Sequence, residues 1–266
     1  MVDRFGRSIT YLRISVTDRC NLRCRYCMPA EGVPFLSHDK ILSYEMIVSV
    51  ARAAVDVGVS KIRLTGGEPL VRRDIESLVG MLAQIDGVEE LAMTTNGILL
   101  AHHAQQLADA GLQRVNVSLD ATDPDHYRHI TRVGDVSMVF EGIAAAKRAG
   151  LTPIKINCVV KDSADEPDAR DVTRFAEENG LQIRYIKEMD FETGTFSIVQ
   201  GGSGGDCEHC NRLRLSSDGL IRPCLFSEIG FSVRELGAVQ ALEQAVINKP
   251  ESGMPCHNNR MNGIGG

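Results

Sequence analysis

A chain of 266 residues with a formal net charge of −6 is long enough for one large α/β domain, or for one domain with an appendage. Its acidic balance gives no general affinity for nucleic acid, no hydrophobic run reaches a membrane span, and the first seven residues lack the apolar stretch of a secretory signal, so the chain is expected in the cytoplasm, away from membranes. Eight cysteines in a non-secreted chain argue against a disulfide framework, and six of them fall in two tight groups, which points to metal ligation.

Short β-rich runs alternate with amphipathic helical patterns as far as Ile186. Strands are predicted at residues 11–17, 61–65, 90–94, 114–118, 154–160 and 182–186. Between the first two, a helix is predicted over residues 44–57, with Ser43 as its N-cap and Met46, Ile47, Val50, Ala51, Ala54 and Val55 as an apolar stripe. Six such βα units predict parallel strands with helices outside, in an incomplete (βα)6 barrel or an open doubly wound sheet. The polar motifs favour the barrel. The cysteine loop Cys20–Cys27 follows the first strand, Thr65-Gly66-Gly67-Glu68-Pro69 the second, Thr94-Thr95-Asn96-Gly97 the third, and Ser118-Leu119-Asp120 the fourth. All lie at carboxyl ends of strands, the end that carries the active site in parallel barrels.

Cys20, Cys24 and Cys27 place three thiolates on one short loop. They can hold three corners of a cubane iron–sulfur cluster and leave the fourth iron open. A structural zinc site wants four ligands, and no fourth Cys or His lies near this loop. Arginines crowd near the cysteines in the sequence: Arg13, Arg19, Arg23, Arg25, Arg63, Arg72, Arg73, Arg212, Arg214 and Arg222. In an acidic chain such a crowd suggests a small, highly charged anion as ligand.

After Met189 the pattern changes. Residues 191–206 contain Gly201-Gly202-Ser203-Gly204-Gly205, a composition closer to an inserted linker, or the scar of an excised loop, than to a packed element. Beyond it, Cys207, Cys210 and Cys224 form a second trio spaced Cx2Cx13C, with a hairpin predicted to bring Cys224 beside the first pair. Zinc completed by His209, Cys256 or His257 is the alternative for this trio. Arg212 and Arg214 alternate on a predicted strand, so both project to one face beside the cysteines, suited to gripping phosphate. One helical stretch is predicted over residues 233–247, before the terminal Gly265-Gly266; Cys158 and Cys256 belong to neither trio. Residues 1–190 thus read as the barrel, 191–206 as the connection and 207–266 as a C-terminal cluster-binding segment.

The Cx3Cx2C spacing with Tyr26 before the last cysteine resembles that of radical S-adenosylmethionine (SAM) enzymes. The two trios together, with residues 3–7, 11–15, 63–74, 94–97, 114–120 and 207–226 and the Gly-Gly tail, resemble one family within them, the GTP 3′,8-cyclases that begin molybdenum cofactor biosynthesis. Members usually carry some tens of residues more before the second trio, so this is a shortened form. The resemblance implies two 4Fe-4S clusters. It implies SAM contacts from Tyr26, Gly67, Ser118 and Met189, and GTP contacts from Arg13, Arg63, Thr94, Lys155 and Arg212–Arg214, Leu213 included; Arg184, which leaves the sixth predicted strand toward the same mouth as Lys155, is added as a cation for the triphosphate. It also implies that the tail, Gly265 and Gly266, enters the active site. For the physical reading, Gly66 and Gly67 let backbone approach the amino group of SAM, Glu68 adds a carboxylate, and the cations gather at one mouth.

The chemistry implied is radical. An electron from the first cluster would split the C5′–S bond of SAM, and the 5′-deoxyadenosyl radical would take hydrogen from C3′ of the GTP ribose. Attack on guanine C8, then an electron and a proton, would give 3′,8-cyclo-7,8-dihydro-GTP. The partners implied are GTP, an electron donor and the next enzyme of the pathway, cyclic pyranopterin monophosphate synthase, with the chain a monomer or homodimer. The alternatives are a radical SAM enzyme for another substrate, whose second cluster is closed by Cys256, and a non-catalytic module with zinc in both sites.

Overall fold

The computed structural model describes residues 1–257 and 261–264. Its elements run β1 (Tyr11–Ser15), α1 (Tyr44–Asp56), β2 (Lys61–Thr65), α2 (Ile75–Ala83), β3 (Glu90–Thr95), α3 (Leu100–Asp109), β4 (Arg114–Ser118), α4 (Pro124–Thr131), α5 (Val136–Arg148), β5 (Lys155–Val160), α6 (Pro167–Glu178), β6 (Gln182–Lys187), β7 (Arg212–Leu215), β8 (Leu220–Arg222), β9 (Phe231–Ser232), α7 (Val233–Leu236), α8 (Ala238–Ile247) and α9 (Met261–Ile264). Local chemistry explains the boundaries of several. Ser43 caps α1 by accepting from the Met46 N–H, Asp123 and Asp135 cap α4 and α5, and Pro opens α4 and α6 at a position where no amide donor is needed.

One nine-stranded sheet has the order β6-β5-β4-β3-β2-β1-β7-β8-β9. Strands β1 to β7 are parallel, and β8 and β9 extend the sheet antiparallel. With β6 and β9 at opposite edges the sheet is not closed, as the incomplete barrel predicted. Side chains of a strand alternate between faces, and here the two faces differ in kind. Leu12, Ile14, Ile62, Leu64, Leu91, Met93, Val115, Val117, Ile156, Leu213 and Leu215 are buried in the main hydrophobic core with apolar positions of the helices. The other face carries Arg13, Arg63, Thr94, Asn116, Lys155, Arg184, Arg212 and Arg214. Burial drives the fold from the helix side, leaving the inner face free for polar residues.

Two sequence expectations change. The predicted helix over 233–247 is broken at Gly237, whose φ of 75° separates α7 from α8, a left-handed backbone that glycine adopts at little cost. The connection over 191–206 is not an open linker: Tyr185 bridges to Gln200, Asp190 to Thr195, and the Val199 N–H donates to the Gly204 carbonyl at 2.7 Å. No helix among the described residues is long and apolar enough to cross a membrane.

Candidate active site

Backbone and side chains of three other loops hold the first cysteine trio at the carboxyl end of β1. Gly67 N donates to Thr17 O and Glu68 N to Arg19 O, each at 2.8 Å. A Cβ at Gly67 would lie 2.3 Å from the Arg19 carbonyl oxygen, so only glycine permits this approach. Asn96 Nδ2 donates to Asn21 Oδ1 at 2.8 Å and lies 3.9 Å from Cys20 Sγ. Arg23 donates to the carbonyls of Cys20 and Leu22 at 2.8 Å, and Arg132 to that of Met28 at 3.0 Å. Burial pushes all three thiols up, Cys27 to about 11, and neighbouring thiols add to the effect at Cys24 and Cys27. Such thiols become ligands when a metal's charge reverses the balance. No three His, Cys, Asp or Glu side chains among the described residues converge as a single-ion site requires. The donor set of thiols, free and partly exposed, fits an iron–sulfur cluster.

Glu68 does not face outward as an extra carboxylate. It is 1% exposed, with Oε1 accepting from Leu70 N and the Thr95 hydroxyl and Oε2 from Asn96 N. It therefore ties the β2 loop to the β3 loop, and burial raises its pKa to about 7. Asp120, which ends the β4 motif, accepts from the Tyr26 hydroxyl at 2.7 Å and from Val159 N at 2.8 Å, and burial raises it to about 6. Tyr26, Gly67 and Ser118 thus lie at the carboxyl ends of β1, β2 and β4. Met189 follows β6 and packs against the small cluster of Leu225, Phe226 and Ile264.

The expected anion contacts line up across the inner face. Arg13 is in register with Arg63 on one side and Arg214 on the other, Thr94 with Asn116, and Asn116 with Lys155. Arg184 is one row further along, opposite Asn157. Alternation turns the cations to the inner face, and the register between strands sets Arg13, Arg63, Arg184 and Arg214 at mid-strand in the interior wall, with Lys155 and Arg212 opening their strands, and not at the mouth beside the first cysteines. Burial brings Arg13, Arg63 and Arg214 each down to about 10, and neighbouring arginines add to the effect. Glu90 offsets part of this charge, pairing with Arg114 and lying 3.9 Å from Arg63. The buried Arg63 Nε, Thr94 Oγ1, Asn116 Nδ2 and Asn157 Oδ1 have no hydrogen-bond partner within the protein, and buried polar atoms of that kind fit a polar ligand. Leu213 differs. Its side chain is fully buried in the main core on the helix side, on the face opposite Arg212 and Arg214.

Several arginines of the sequence crowd have other tasks. Arg25 donates to His129 O, Arg72 to Leu42 O and Arg222 to Ser227 O. They brace loops. Sequence reasoning placed Asn96 and Asp120 in strand-end motifs without giving either a role, and it missed Lys249, an ordinary polar residue until the fold brings it beside Cys210.

The hairpin predicted beside the second trio forms. Antiparallel pairing of Arg214 with Arg222 returns the chain so that Cys224 lies at the same end as Cys207 and Cys210. That end is opposite the first trio, separated by the length of β1, roughly 16 Å for five residues at about 3.3 Å each. The inner-face cations lie between. Burial would raise Cys210, but the Lys249 charge leads the effects that bring its thiol below the ordinary value. His209 is turned to Asp206 at 3.0 Å and is largely exposed. Cys158 and Cys256 are buried, Cys158 in the main core and Cys256 with its N–H on Phe191 O. Gly265 and Gly266 lie outside the described residues.

Residues 14–176 match the family model of the radical SAM superfamily. The chain is 42% identical, over 99% of its length and 96% of the relative's, to a GTP 3′,8-cyclase of Moorella thermoacetica. It is 42% identical to one of Geobacter sulfurreducens over 94% of this chain and 93% of that protein, and 38% identical to one of Petrotoga mobilis over 95% and 94%. The first alignment runs over 311 positions against 266 residues in this chain, so the relative holds residues that have no counterpart here. Among solved structures, SuiB of Streptococcus suis bound to S-adenosylmethionine is similar with a TM-score of 0.66, 15% identity and coverage of 91% of this chain and 64% of that one. The enzyme anSMEcpe with bound AdoMet and a peptide is similar with a TM-score of 0.62, 15% identity and coverage of 91% and 81%. At these identities the likeness is one of fold.

Proposed function

This chain belongs to the radical SAM superfamily and, within it, to the GTP 3′,8-cyclases, and from that premise we propose which of its residues carry the reaction. The reaction is the first step of molybdenum cofactor biosynthesis, the conversion of GTP to 3′,8-cyclo-7,8-dihydro-GTP with SAM consumed. When bound, the first cluster supplies the electron that splits SAM, and the second an open iron for the guanine.

Cys20, Cys24 and Cys27 are the ligands of the first cluster and Cys207, Cys210 and Cys224 those of the second. Tyr26, Gly67, Ser118 and Met189 hold SAM. The support for the first three is their place at strand ends around the first trio; Met189 is carried by the resemblance. Arg13, Arg63, Thr94, Lys155, Arg184, Arg212 and Arg214 bind GTP. One observation carries this assignment: buried, mutually repelling cations and unpartnered polar atoms share the inner face between the two trios. A triphosphate supplies the missing negative charge, and the unpartnered atoms supply hydrogen bonds to ribose and base.

The distance across the sheet sets the geometry. With the base toward the second trio and the phosphates on the inner-face cations, the ribose lies between them, and hydrogen abstraction from C3′ requires that this carbon be turned toward the carboxyl ends where SAM is held. The sheet and its helices shield the reacting carbon from water. Residues 1–190 serve SAM cleavage and supply part of the GTP contacts, and residues 207–266 supply the rest and the second trio, with 191–206 joining them; Gly265 and Gly266 are carried as catalytic by the resemblance. An external electron donor is required because SAM cleavage consumes an electron. The product passes to cyclic pyranopterin monophosphate synthase, and the oxidisable clusters suit the cytoplasm.

The test is anaerobic reconstitution followed by turnover. About eight iron and eight sulfide per chain are expected from two four-iron cubanes, with 5′-deoxyadenosine and the cyclised nucleotide formed together from GTP and SAM. Zinc in place of iron, or SAM cleavage without cyclised product in the unaltered protein, overturns the assignment.

A further inference from the structure

Residues 3–7 carry a motif that neither the SAM nor the GTP assignment uses. Asp3 is buried, and its Oδ1 accepts from the Phe5 and Arg7 N–H groups while Oδ2 accepts from Arg7 Nε at 2.7 Å. Fixed in this way, Arg7 aims its remaining donors across the fold. Its Nη1 donates to Cys207 O at 2.6 Å and to Glu251 O at 2.9 Å, and its Nη2 to Pro250 O at 2.6 Å. The neighbouring Lys249 is 1% exposed, a state that an unpaired ammonium does not tolerate. Its Nζ donates to Arg212 O and to Pro223 O, each at 2.7 Å. Arg212 follows Cys210 by two residues, and Pro223 precedes Cys224 directly.

We propose that Arg7 and Lys249 are positioning residues for the second cysteine trio: two buried cations that clamp the carbonyls of residues 207, 212, 223, 250 and 251 and so hold the three cysteines together at one end of β7. The inference rests on the assignment of Cys207, Cys210 and Cys224 as cluster ligands. The three come from two separate stretches of chain, and in the hairpin only β7 and β8 are directly paired. Backbone pairing brings Cys224 to the right end but does not fix the loop of Cys207. Arg7 does, through a planar fork that binds carbonyls in set directions. Lys249 joins the two arms of the hairpin below the trio, and its charge stands beside Cys210 and Cys224. Groups that orient ligands in this manner typically alter metal affinity about 10- to 100-fold when removed.

The experiment compares Lys249→Met, Arg7→Met, Asp3→Asn and Lys249→Arg with Cys210→Ala in anaerobically reconstituted full-length protein. Iron, the electron paramagnetic resonance of the reduced protein with and without GTP, the midpoint potential of the second cluster, and Kd for SAM and GTP are measured. Cys210→Ala tests the underlying assignment: iron falling from about eight to about four per chain upholds it, and full iron overturns it. With the assignment upheld, Lys249→Met and Arg7→Met are expected to lose the second cluster's iron, or to retain it at a more negative potential. Kd for GTP should rise about tenfold or more while that for SAM changes less than about twofold. Lys249→Arg, which keeps the charge, should restore most of the iron. Full iron with unchanged potential and GTP signal in both Met variants overturns the clamp. If those variants do not fold, Asp3→Asn decides, because it loosens Arg7 without removing a cation: reduced second-cluster iron with the first intact supports the clamp, and unchanged iron overturns it.

Discussion

Arg63 and Thr94 show how the site is built against the stability of the free protein. Arg63 is 4% exposed, and burial with nearby arginines lowers its pKa to about 10, so its charge is poorly compensated until an anion arrives. Thr94 Oγ1 is buried without a partner, which costs about 1–3 kcal/mol in a closed interior. Thr94→Val is therefore expected to leave the melting temperature of the free protein unchanged or higher, while weakening GTP. Arg63→Met should weaken GTP by about 1.5–3 kcal/mol, the range for a hydrogen bond to a charged group, with little effect on SAM. Calorimetric titration of both ligands checks this, and equal losses for GTP and SAM would mean that Arg63 holds the fold. Glu68 gives a pH dependence. Burial raises its pKa from 4.5 to about 7, so the folded state holds a proton that the unfolded chain releases. Its contribution is fully present below pH 4.5 and is lost as the pH rises through about 7, at no more than about 1.4 kcal/mol per unit. Denaturant titrations of cluster-free protein between about pH 5 and 8 should show this slope, and Glu68→Gln should lack it.

At the scale of elements, much was legible in the sequence, because alternation and turn residues acted locally. Strands predicted at 61–65 and 114–118 form at those bounds, and Ser43 caps the first helix. The break at Gly237 was not legible, since the apolar pattern continues through it and only tertiary packing decides that the backbone turns. Nor could alternation place the cations at mid-strand, which depends on register between strands distant in sequence. The Gly66-Gly67 motif predicts backbone close enough to approach SAM, and the fold shows a second use of the same lack of side chains, close packing against the cysteine loop. The two glycines have Cβ positions 2.5 Å from Thr17 O and 2.3 Å from Arg19 O, closer than any side chain allows. Gly67→Ala should therefore push the Cys20 loop from its place without unfolding the helices and strands behind it. Iron analysis should then fall from about eight toward about four per chain, with SAM cleavage lost and the GTP-sensitive signal of the second cluster kept. Full first-cluster occupancy in this variant would show that the loop has another place to go.

At the scale of the whole molecule, the chain separates two jobs onto two faces of one sheet. The helix-facing side contributes the burial that stabilises the fold. The inner side gathers Arg13, Arg63, Arg114, Lys155, Arg184, Arg212 and Arg214 with the carboxylate of Glu90 among them, in a protein whose formal net charge is −6. Overall charge thus repels a nucleotide at long range while the interior attracts it at short range. Salt should act on these two effects in opposite directions. Raising sodium chloride from about 50 to about 300 mM shortens the screening length to below about 6 Å, which relieves repulsion among the cations and should raise the melting temperature of the free protein. The same change should weaken GTP severalfold, because the triphosphate loses more at contact with the cations than it gains from screening of the distant acidic surface. Guanosine, which lacks the phosphates, should bind with an affinity that salt barely alters. Parallel titrations of GTP and guanosine, with thermal unfolding at each salt concentration, measure both effects; GTP affinity that rises with salt would place the phosphates outside the cationic interior.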